Sequence, residues 1–177
     1  MIRKNILFTG RPGCGKSTLI ERIVGKMNRP ATGFVTREIR EAGIRCGFEI
    51  VTLDGKKGVL AHRKIRSPFR VGSYGVNIRD IEDIAVPSII PSTIDEIIVI
   101  DEIGKMECFS PLFRETLIKA LGSKNLLIGS IALRGDAFIE GIKCRSDVLV
   151  VPVTEKNRDE IAQKYASILL TGEIASP

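Results

Sequence analysis

The residues from Gly10 to Thr18 are of the right types, in the right order, to bind phosphate. They read Gly10-Arg11-Pro12-Gly13-Cys14-Gly15-Lys16-Ser17-Thr18 and match the pattern G-x-x-x-x-G-K-[ST] in full. Glycines allow successive backbone N–H groups to turn toward one set of phosphate oxygens. Lys16 adds a full positive charge for the β- and γ-phosphates, and the Ser17 hydroxyl is a ligand for Mg²⁺. The run therefore predicts a phosphate-binding loop in which Lys16 is catalytic and Cys14 fills a variable position.

Two successive carboxylates, Asp101 and Glu102, follow the apolar run Ile97–Ile100. A buried parallel strand delivers its last residues to the edge of the sheet where such a loop lies. Asp101 is then placed to bind Mg²⁺ together with Ser17, and Glu102 to polarise a water for in-line attack on the γ-phosphate. An Asp-Glu pair is usual in nucleotide hydrolases that insert a strand between these two motifs. The long separation of the motifs in this chain leaves room for that strand.

Phosphoryl transfer also requires positive charge on the equatorial oxygens of the transferred group. Arg134, at the end of the strand that follows the carboxylates, has the best topological position. Lys105, just past Glu102, is a second candidate. Arg11 in the loop and the basic run at 63–70 are weaker candidates, since each can equally be a solvated surface charge.

The hydrophobic pattern predicts which elements position these residues. Short continuous apolar runs indicate buried strands, and apolar residues at helical spacing indicate helices. The predicted helices are 16–27, 80–94 broken at Pro87 and Pro91, 110–121, 136–143 and 157–169. The predicted strands are 5–9, 32–40, 44–53, 59–62, 96–100, 125–131 and 148–153. Alternation of this kind favours a three-layer α/β/α fold with a mainly parallel sheet covered on both faces.

After the first predicted helix, the spacing of apolar residues changes from a helical to a strand-like pattern. The three strands between about 32 and 62 are joined by turn signals, Glu41-Ala42-Gly43 and Asp54-Gly55, so they form a small antiparallel β extension. The residues from 63 to 80 are predicted to be mostly loop. Within or beside this region, His62 is expected to be structural or exposed. Tyr74 is expected to pack in its loop, with stacking on a base as the alternative.

Composition narrows the class of protein. The chain has 177 residues and 44% apolar residues, which suits one folded domain spanning 1–177. The formal net charge of +6 points to an anionic partner, and nucleotide, nucleic acid and acidic membrane all satisfy it. Aromatic residues make up only 5%, fewer than a protein that stacks single-stranded nucleic acid usually carries. The widely spaced cysteines form no C-x-x-C pair, so a reduced, cytoplasmic protein is expected.

Several stretches resemble a known family. Val99-Ile100-Asp101-Glu102-Ile103-Gly104-Lys105-Met106-Glu107 followed by Ser110-Pro111-Leu112-Phe113 is similar to the signature of the small nucleoside-triphosphatases first known from thermophiles, a group that includes the human cancer-related nucleoside-triphosphatase. The segments 70–76, 138–143 and 153–158 resemble the same family. The resemblance implies a single RecA-like or kinase-like P-loop domain. It also implies Mg²⁺-dependent hydrolysis of ATP, GTP and other nucleoside triphosphates to diphosphate and phosphate.

Two other functions fit parts of the pattern. A nucleotide or small-metabolite kinase would use the same loop, and Arg63, Arg66 and Arg70 would form its lid. An RNA-linked protein that uses a nucleoside triphosphate as a switch would explain the basic segment 56–70. The hydrolase is preferred because the Asp-Glu pair suits water as the acceptor. The expected partners are nucleoside triphosphates, with no membrane, nucleic acid not favoured, and a monomer preferred over an oligomer.

Overall fold

The computed structural model describes residues 4–171, and of residues 168–171 only the backbone. The side chains of Ile168 and Leu169, at the end of the predicted helix 157–169, lie outside the described residues. The strands are β1 (Asn5–Thr9), β2 (Ala31–Glu41), β3 (Ile44–Thr52), β4 (Lys57–His62), β5 (Arg70–Val71), β6 (Tyr74–Val76), β7 (Ile97–Ile103), β8 (Leu127–Ile131) and β9 (Val148–Pro152). The helices are α1 (Lys16–Lys26), α2 (Ile78–Asp80), α3 (Val86–Ser88), α4 (Pro111–Gly122), α5 (Ala137–Lys143) and α6 (Arg158–Thr171).

All strands of the described chain join one sheet, in the order β5-β6-β4-β3-β2-β7-β8-β1-β9. The strands from β2 to β9 in that order pair in parallel, as predicted for the site-bearing half. The others pair antiparallel and form the predicted β extension together with the short strands β5 and β6. The predicted extension is not a separate layer, because β2 pairs with β7 through Ala31–Val35 and with β3 through Phe34–Glu41.

Two apolar cores confirm the three-layer prediction. In β7 the side chains alternate between faces, Ile97 and Val99 packing in one core and Ile98 and Ile100 in the other. A strand buried on both faces needs a continuous apolar run, which is the pattern that the sequence shows. The first core is closed by α1 and α6, and the second by the 78–88 segment, α4 and α5.

The predictions between residues 63 and 94 are confirmed only in part. Residues 63–69 are loop as predicted, but β5 and β6 form a small hairpin across Gly72 and Ser73 that the sequence pattern does not predict. Gly72 has a φ of 56°, which a glycine adopts without steric cost. Strands of two and three residues are too short to show an alternating pattern, so the sequence gives little sign of them.

The helix predicted over 80–94 instead runs from Ile78 to Ser88 and includes a π turn over Ile81–Ala85. The Val86 N–H bonds to the Ile81 carbonyl in this wider turn. Pro87, which lacks an N–H, follows the π turn and does not break the helix. The helix ends before Pro91, as a proline beyond its C-terminus favours.

Within residues 4–171, no helix combines the length and the apolar character that a bilayer crossing requires.

Candidate active site

The loop from Gly10 to Thr18 joins β1 to α1, in the context that the motif requires. Gly13 and Gly15 have φ values of 79° and 96°, a region that side chains other than glycine rarely adopt. Gly15 is the N-cap of α1, and the first helical hydrogen bond runs from Leu19 N–H to the Gly15 carbonyl at 2.9 Å. The loop therefore presents backbone N–H groups and the positive end of a helix to one point.

Lys16 and Cys14 take different places in this loop. The Lys16 ammonium donates to the carbonyls of Gly10 at 3.1 Å and Arg11 at 3.4 Å, which holds the charge over the loop. Cys14 is buried in the core beneath the loop, beside α1. The structure thus brings Lys16 to the site and makes Cys14 a packing residue.

Asp101 lies at the parallel-strand edge that faces the loop. The strand β8 lies between β1, which leads into the loop, and β7, which carries Asp101. This is the inserted strand that the spacing of the motifs predicts. Ser130 of β8 donates a hydrogen bond to Oδ1 of Asp101, while Oδ2 is buried with no hydrogen-bond partner among the described residues.

A divalent cation fits these groups. Burial raises the pKa of Asp101, and the nearby hydroxyls of Ser130 and Ser17 act against that shift, so Ser17 lies within reach of the carboxylate. A buried carboxylate oxygen without a partner, beside a hydroxyl, provides the hard oxygen ligands that Mg²⁺ prefers. The residues predicted to bind metal, Ser17 and Asp101, are thus adjacent in the fold.

Glu102 is half-buried and lines the cleft in front of the loop. Burial raises the pKa of its carboxyl, the Lys16 charge lowers it, and Asp101 raises it. Behind it lies Glu107, only 4% exposed, in the short 3₁₀ turn after β7. Burial, followed by the neighbouring charge of Glu102, raises the pKa of Glu107 to about 8. The sequence places Glu107 in the family signature but does not show that it packs against Glu102.

The first cleft, about 890 Å³ in volume, opens in front of the loop. One wall is the loop itself with Glu102, Met106 and the residues after β8. The opposite wall comes from the antiparallel strands. The lining residues of that second wall are Thr36, Arg37, Glu38, Arg45, Phe48, Val71, Gly72 and Tyr74.

The residues predicted to supply additional positive charge lie at different places in the structure. Arg134 is exposed and lines the first cleft with Lys16 and Glu102. Lys105 is exposed on the turn after β7 and does not contribute to that lining. Arg11 borders a second cleft of about 720 Å³ on the β9 side of the loop.

The arginines predicted for a kinase lid are engaged elsewhere. The Arg63 guanidinium lies 5.6 Å from the ring centroid of Tyr74, and Arg70 donates to the Ser73 carbonyl at 2.9 Å. Neither side chain lines the first cleft among the described residues. These two arginines therefore contact the hairpin rather than the phosphate loop.

Tyr74 is packed and also faces the cleft. Its ring meets Phe48 edge-on with centroids 5.3 Å apart, and Arg45 Nε donates to its hydroxyl at 3.2 Å. That hydrogen bond lowers the pKa of Tyr74. Arg45 also pairs with Glu38 at 2.9 Å. Nothing in the strand pattern could have shown that these side chains meet across three strands.

His62 has neighbours that the sequence does not place beside it. Its ligand atoms lie within 4.8 Å of those of Cys46 and Glu41. Lys64 already pairs with the Glu41 carboxylate at 2.9 Å, and its backbone N–H donates to Nδ1 of His62 at 3.1 Å. These bonds support the structural role predicted for His62.

Comparison with known proteins shows similarity over nearly the whole chain. The model of a family described as NTPase matches residues 5–166. Over 165 residues the chain is 45% identical to "Nucleoside-triphosphatase THEP1" of Thermotoga sp. (strain RQ2), covering 93% of this chain and 94% of that protein. It is 35% identical to the human "Cancer-related nucleoside-triphosphatase", covering 89% of this chain and 92% of the relative.

A solved structure supports the same grouping. The crystal structure of THEP1 from the hyperthermophile Aquifex aeolicus superposes with a TM-score of 0.84 at 35% identity. The match covers 93% of this chain and 98% of that chain.

Proposed function

The chain belongs to the NTPase family, and from this membership we infer that it is a nucleoside-triphosphatase that hydrolyses the β–γ phosphoanhydride of its substrate. The carrying observation is the position of Glu102, which lines the same cleft as Lys16 and the phosphate loop. A base at this position meets a water at the γ-phosphate. The comparisons give the kinase alternative no support, and the arginines proposed for its lid lie outside the cleft lining.

The loop and Lys16 bind the triphosphate. Backbone N–H groups of the segment 13–18 surround the β-phosphate, because Gly13 and Gly15 allow the chain to curl inward. Lys16 exchanges its hydrogen bonds to the Gly10 and Arg11 carbonyls for the β- and γ-phosphate oxygens. Ser17 and Asp101 would hold Mg²⁺, which neutralises phosphate charge when bound.

Glu102 acts on the attacking water. Its carboxylate accepts a proton as the water oxygen bonds to the γ-phosphorus and the bond to the β–γ bridging oxygen breaks. The products are a nucleoside diphosphate and inorganic phosphate. Burial raises the pKa of Glu102 and makes it a stronger base than an exposed glutamate, and the Lys16 charge acts against that shift. Arg134 supplies positive charge to the γ-phosphate from the wall of the same cleft.

Substitution of Glu102 and Lys16 tests this assignment. Glu102→Gln removes the base and leaves the loop intact, so phosphate release falls by about 10²-fold or more while ADP affinity is retained. Lys16→Ala weakens both ADP binding and turnover, because the lysine contacts ground state and transition state alike. Steady-state phosphate release and calorimetric ADP titration measure the two effects. Near-normal turnover by Glu102→Gln would contradict the role of Glu102.

A further inference from the structure

The phosphate loop separates two clefts. The first contains Glu102 and Arg134, and the second lies on the side of the loop next to β9. Apolar residues Pro12, Leu133, Pro152 and Val153 form much of the second cleft, with polar groups at its mouth. Leu133 is 47% exposed and lies at the border of both clefts. Apolar walls with a few polar groups are typical of small-molecule sites.

The direction of a bound triphosphate follows from the position of Glu102. The γ-phosphate must lie on the side of Glu102, because that carboxylate activates the attacking water. The β-phosphate occupies the loop between them. The α-phosphate therefore leaves the loop on the side away from Glu102, and the nucleoside follows it toward the second cleft.

Hydrogen bonds order the wall of the second cleft. The Thr154 N–H donates to Oδ1 of Asn157 at 2.7 Å, and Asn157 Nδ2 donates to the Pro152 carbonyl at 3.2 Å. The Arg158 N–H bonds to the Thr154 carbonyl at 3.1 Å and begins α6. A turn bonded in this way presents a preformed surface, which lowers the entropic cost of binding.

Arg158 extends from this turn to the phosphate loop. A methyl group at Gly15 would lie 2.9 Å from Nη1 of Arg158, so the guanidinium rests directly on the glycine. The adjacent Asp159 is paired with Arg22 at 2.5 Å. Among the side chains described, Arg158 has no ion-pair partner of its own. A half-buried, unpaired guanidinium beside an anion-binding loop has the geometry to accept a phosphate.

We propose that the second cleft binds the nucleoside and that Arg158 is a substrate-binding residue contacting the α-phosphate. This proposal depends on the proposed function for the identity of its ligand. The apolar residues of the cleft cover one face of the base, and the Thr154–Lys156 segment lies at its edge. Arg158 lies between the proposed base site and the phosphate loop, because its side chain contacts Gly15 and its backbone begins α6 behind the cleft wall.

Photolabelling locates the nucleoside without requiring turnover. The full chain is irradiated with an azido-adenine analogue of ADP, digested, and the labelled peptides are sequenced by mass spectrometry. Label within the segment 152–158, reduced by excess ADP, is the expected result. Label on the opposite wall, at Arg45–Phe48 or Val71–Tyr74, would overturn the proposal.

Substitution tests the role of Arg158. Arg158→Ala is expected to weaken ADP affinity by about tenfold or more, with Arg158→Lys intermediate. Arg22→Ala is the control, because it removes an exposed arginine from the same pair of helices. ADP affinity of Arg158→Ala equal to the parent would reject the assigned contact.

These outcomes are separable from failure of the proposed function. Nucleotide binding in the second cleft without phosphate release would contradict hydrolysis and leave the binding site in place. Hydrolysis with the label on the opposite wall of the first cleft, at Arg45–Phe48 or Val71–Tyr74, would support the proposed function and reject the nucleoside site.

Discussion

The carboxylates of Glu102 and Glu107 both lie beside Gly104. A methyl group at Gly104 would lie 3.0 Å from an oxygen of each. Gly104 is itself buried, so neither carboxylate can move far without disturbing the turn after β7. The proposed base is therefore positioned by a glycine and a second, fully buried acid rather than by a direct hydrogen-bond partner.

Replacing Gly104 should displace the base. Gly104→Ala introduces tight contacts to both carboxylates, so kcat is expected to fall by about tenfold while ADP affinity changes little. Gly25→Ala is the matched control, because its added methyl group meets nothing within 4 Å in α1. Phosphate release and ADP titration of the two variants make the comparison. Equal loss of turnover in both variants would contradict the positioning of Glu102 by this turn.

Glu107 should make stability depend on pH. Burial raises its pKa from 4.5 to about 8, so over that interval the folded protein keeps a proton that the unfolded chain releases. Its contribution to the free energy of unfolding is thus full below about pH 4.5 and is lost as the pH rises through about 8. Glu107→Gln removes this dependence. In urea unfolding, the free energy of unfolding of the variant should increase relative to that of the parent by a few kcal/mol as the pH rises from about 4.5 to about 8.

A second glutamate serves as the control for that experiment. Glu115 is exposed on α4 and pairs with Lys119 at 2.6 Å. Glu115→Gln should leave the shape of the pH profile almost unchanged. If the parent and Glu107→Gln profiles run parallel from acid to alkaline pH, Glu107 does not carry the additional proton.

Arg134 and Lys105 should differ in their effect on turnover. Arg134 lines the first cleft and Lys105 does not, although both are exposed cations near the carboxylates. Arg134→Ala is expected to lower kcat by about 10²-fold or more, since an arginine on the transferred phosphoryl group stabilises its charge. Lys105→Ala should stay close to the parent. The reverse ranking in a phosphate-release assay would assign the charge to Lys105.

Metal binding should depend on Ser17 and Asp101 together. Chelation with EDTA is expected to stop turnover, and Mg²⁺ to restore it. Ser17→Ala and Asp101→Asn should each raise by about tenfold or more the Mn²⁺ concentration needed to form the ADP complex, followed by paramagnetic resonance. Ser123→Ala, at the end of α4, is the control. Unchanged Mn²⁺ binding in both loop and strand variants would place the cation elsewhere.

Local patterns were sufficient for the elements that carry the site. The predicted strands 5–9 and 96–100, and the helix from Lys16, are confirmed within a few residues. The N-cap at Ser110, which accepts from the Phe113 N–H at 3.1 Å, agrees with the predicted start of α4. Each of these patterns depends on residues that are close together in the chain, so it can be recognised without knowledge of the fold.

Long-range geometry could not be predicted in this way. The hairpin at Arg70–Val76, the proximity of Glu107 to Glu102 and the contact of Arg158 with Gly15 all depend on elements distant in sequence. The sequence ranks Arg134 above Lys105 by its position at a strand end, but only the fold shows that Arg134 lines the first cleft and Lys105 does not. Nothing along the chain distinguishes Arg158 from Arg11.

The sequence by itself determined the phosphate loop, the Asp101-Glu102 pair and the alternating elements that present them, because those features are set by local residue types and periodicity. Only the tertiary structure decided which charges face the substrate. Strand order places β8 between the two motifs, and the packing of α6 on α1 brings Arg158 to the loop. The physical reason is that burial and contact, which give a carboxylate or guanidinium its role, are properties of the packed chain.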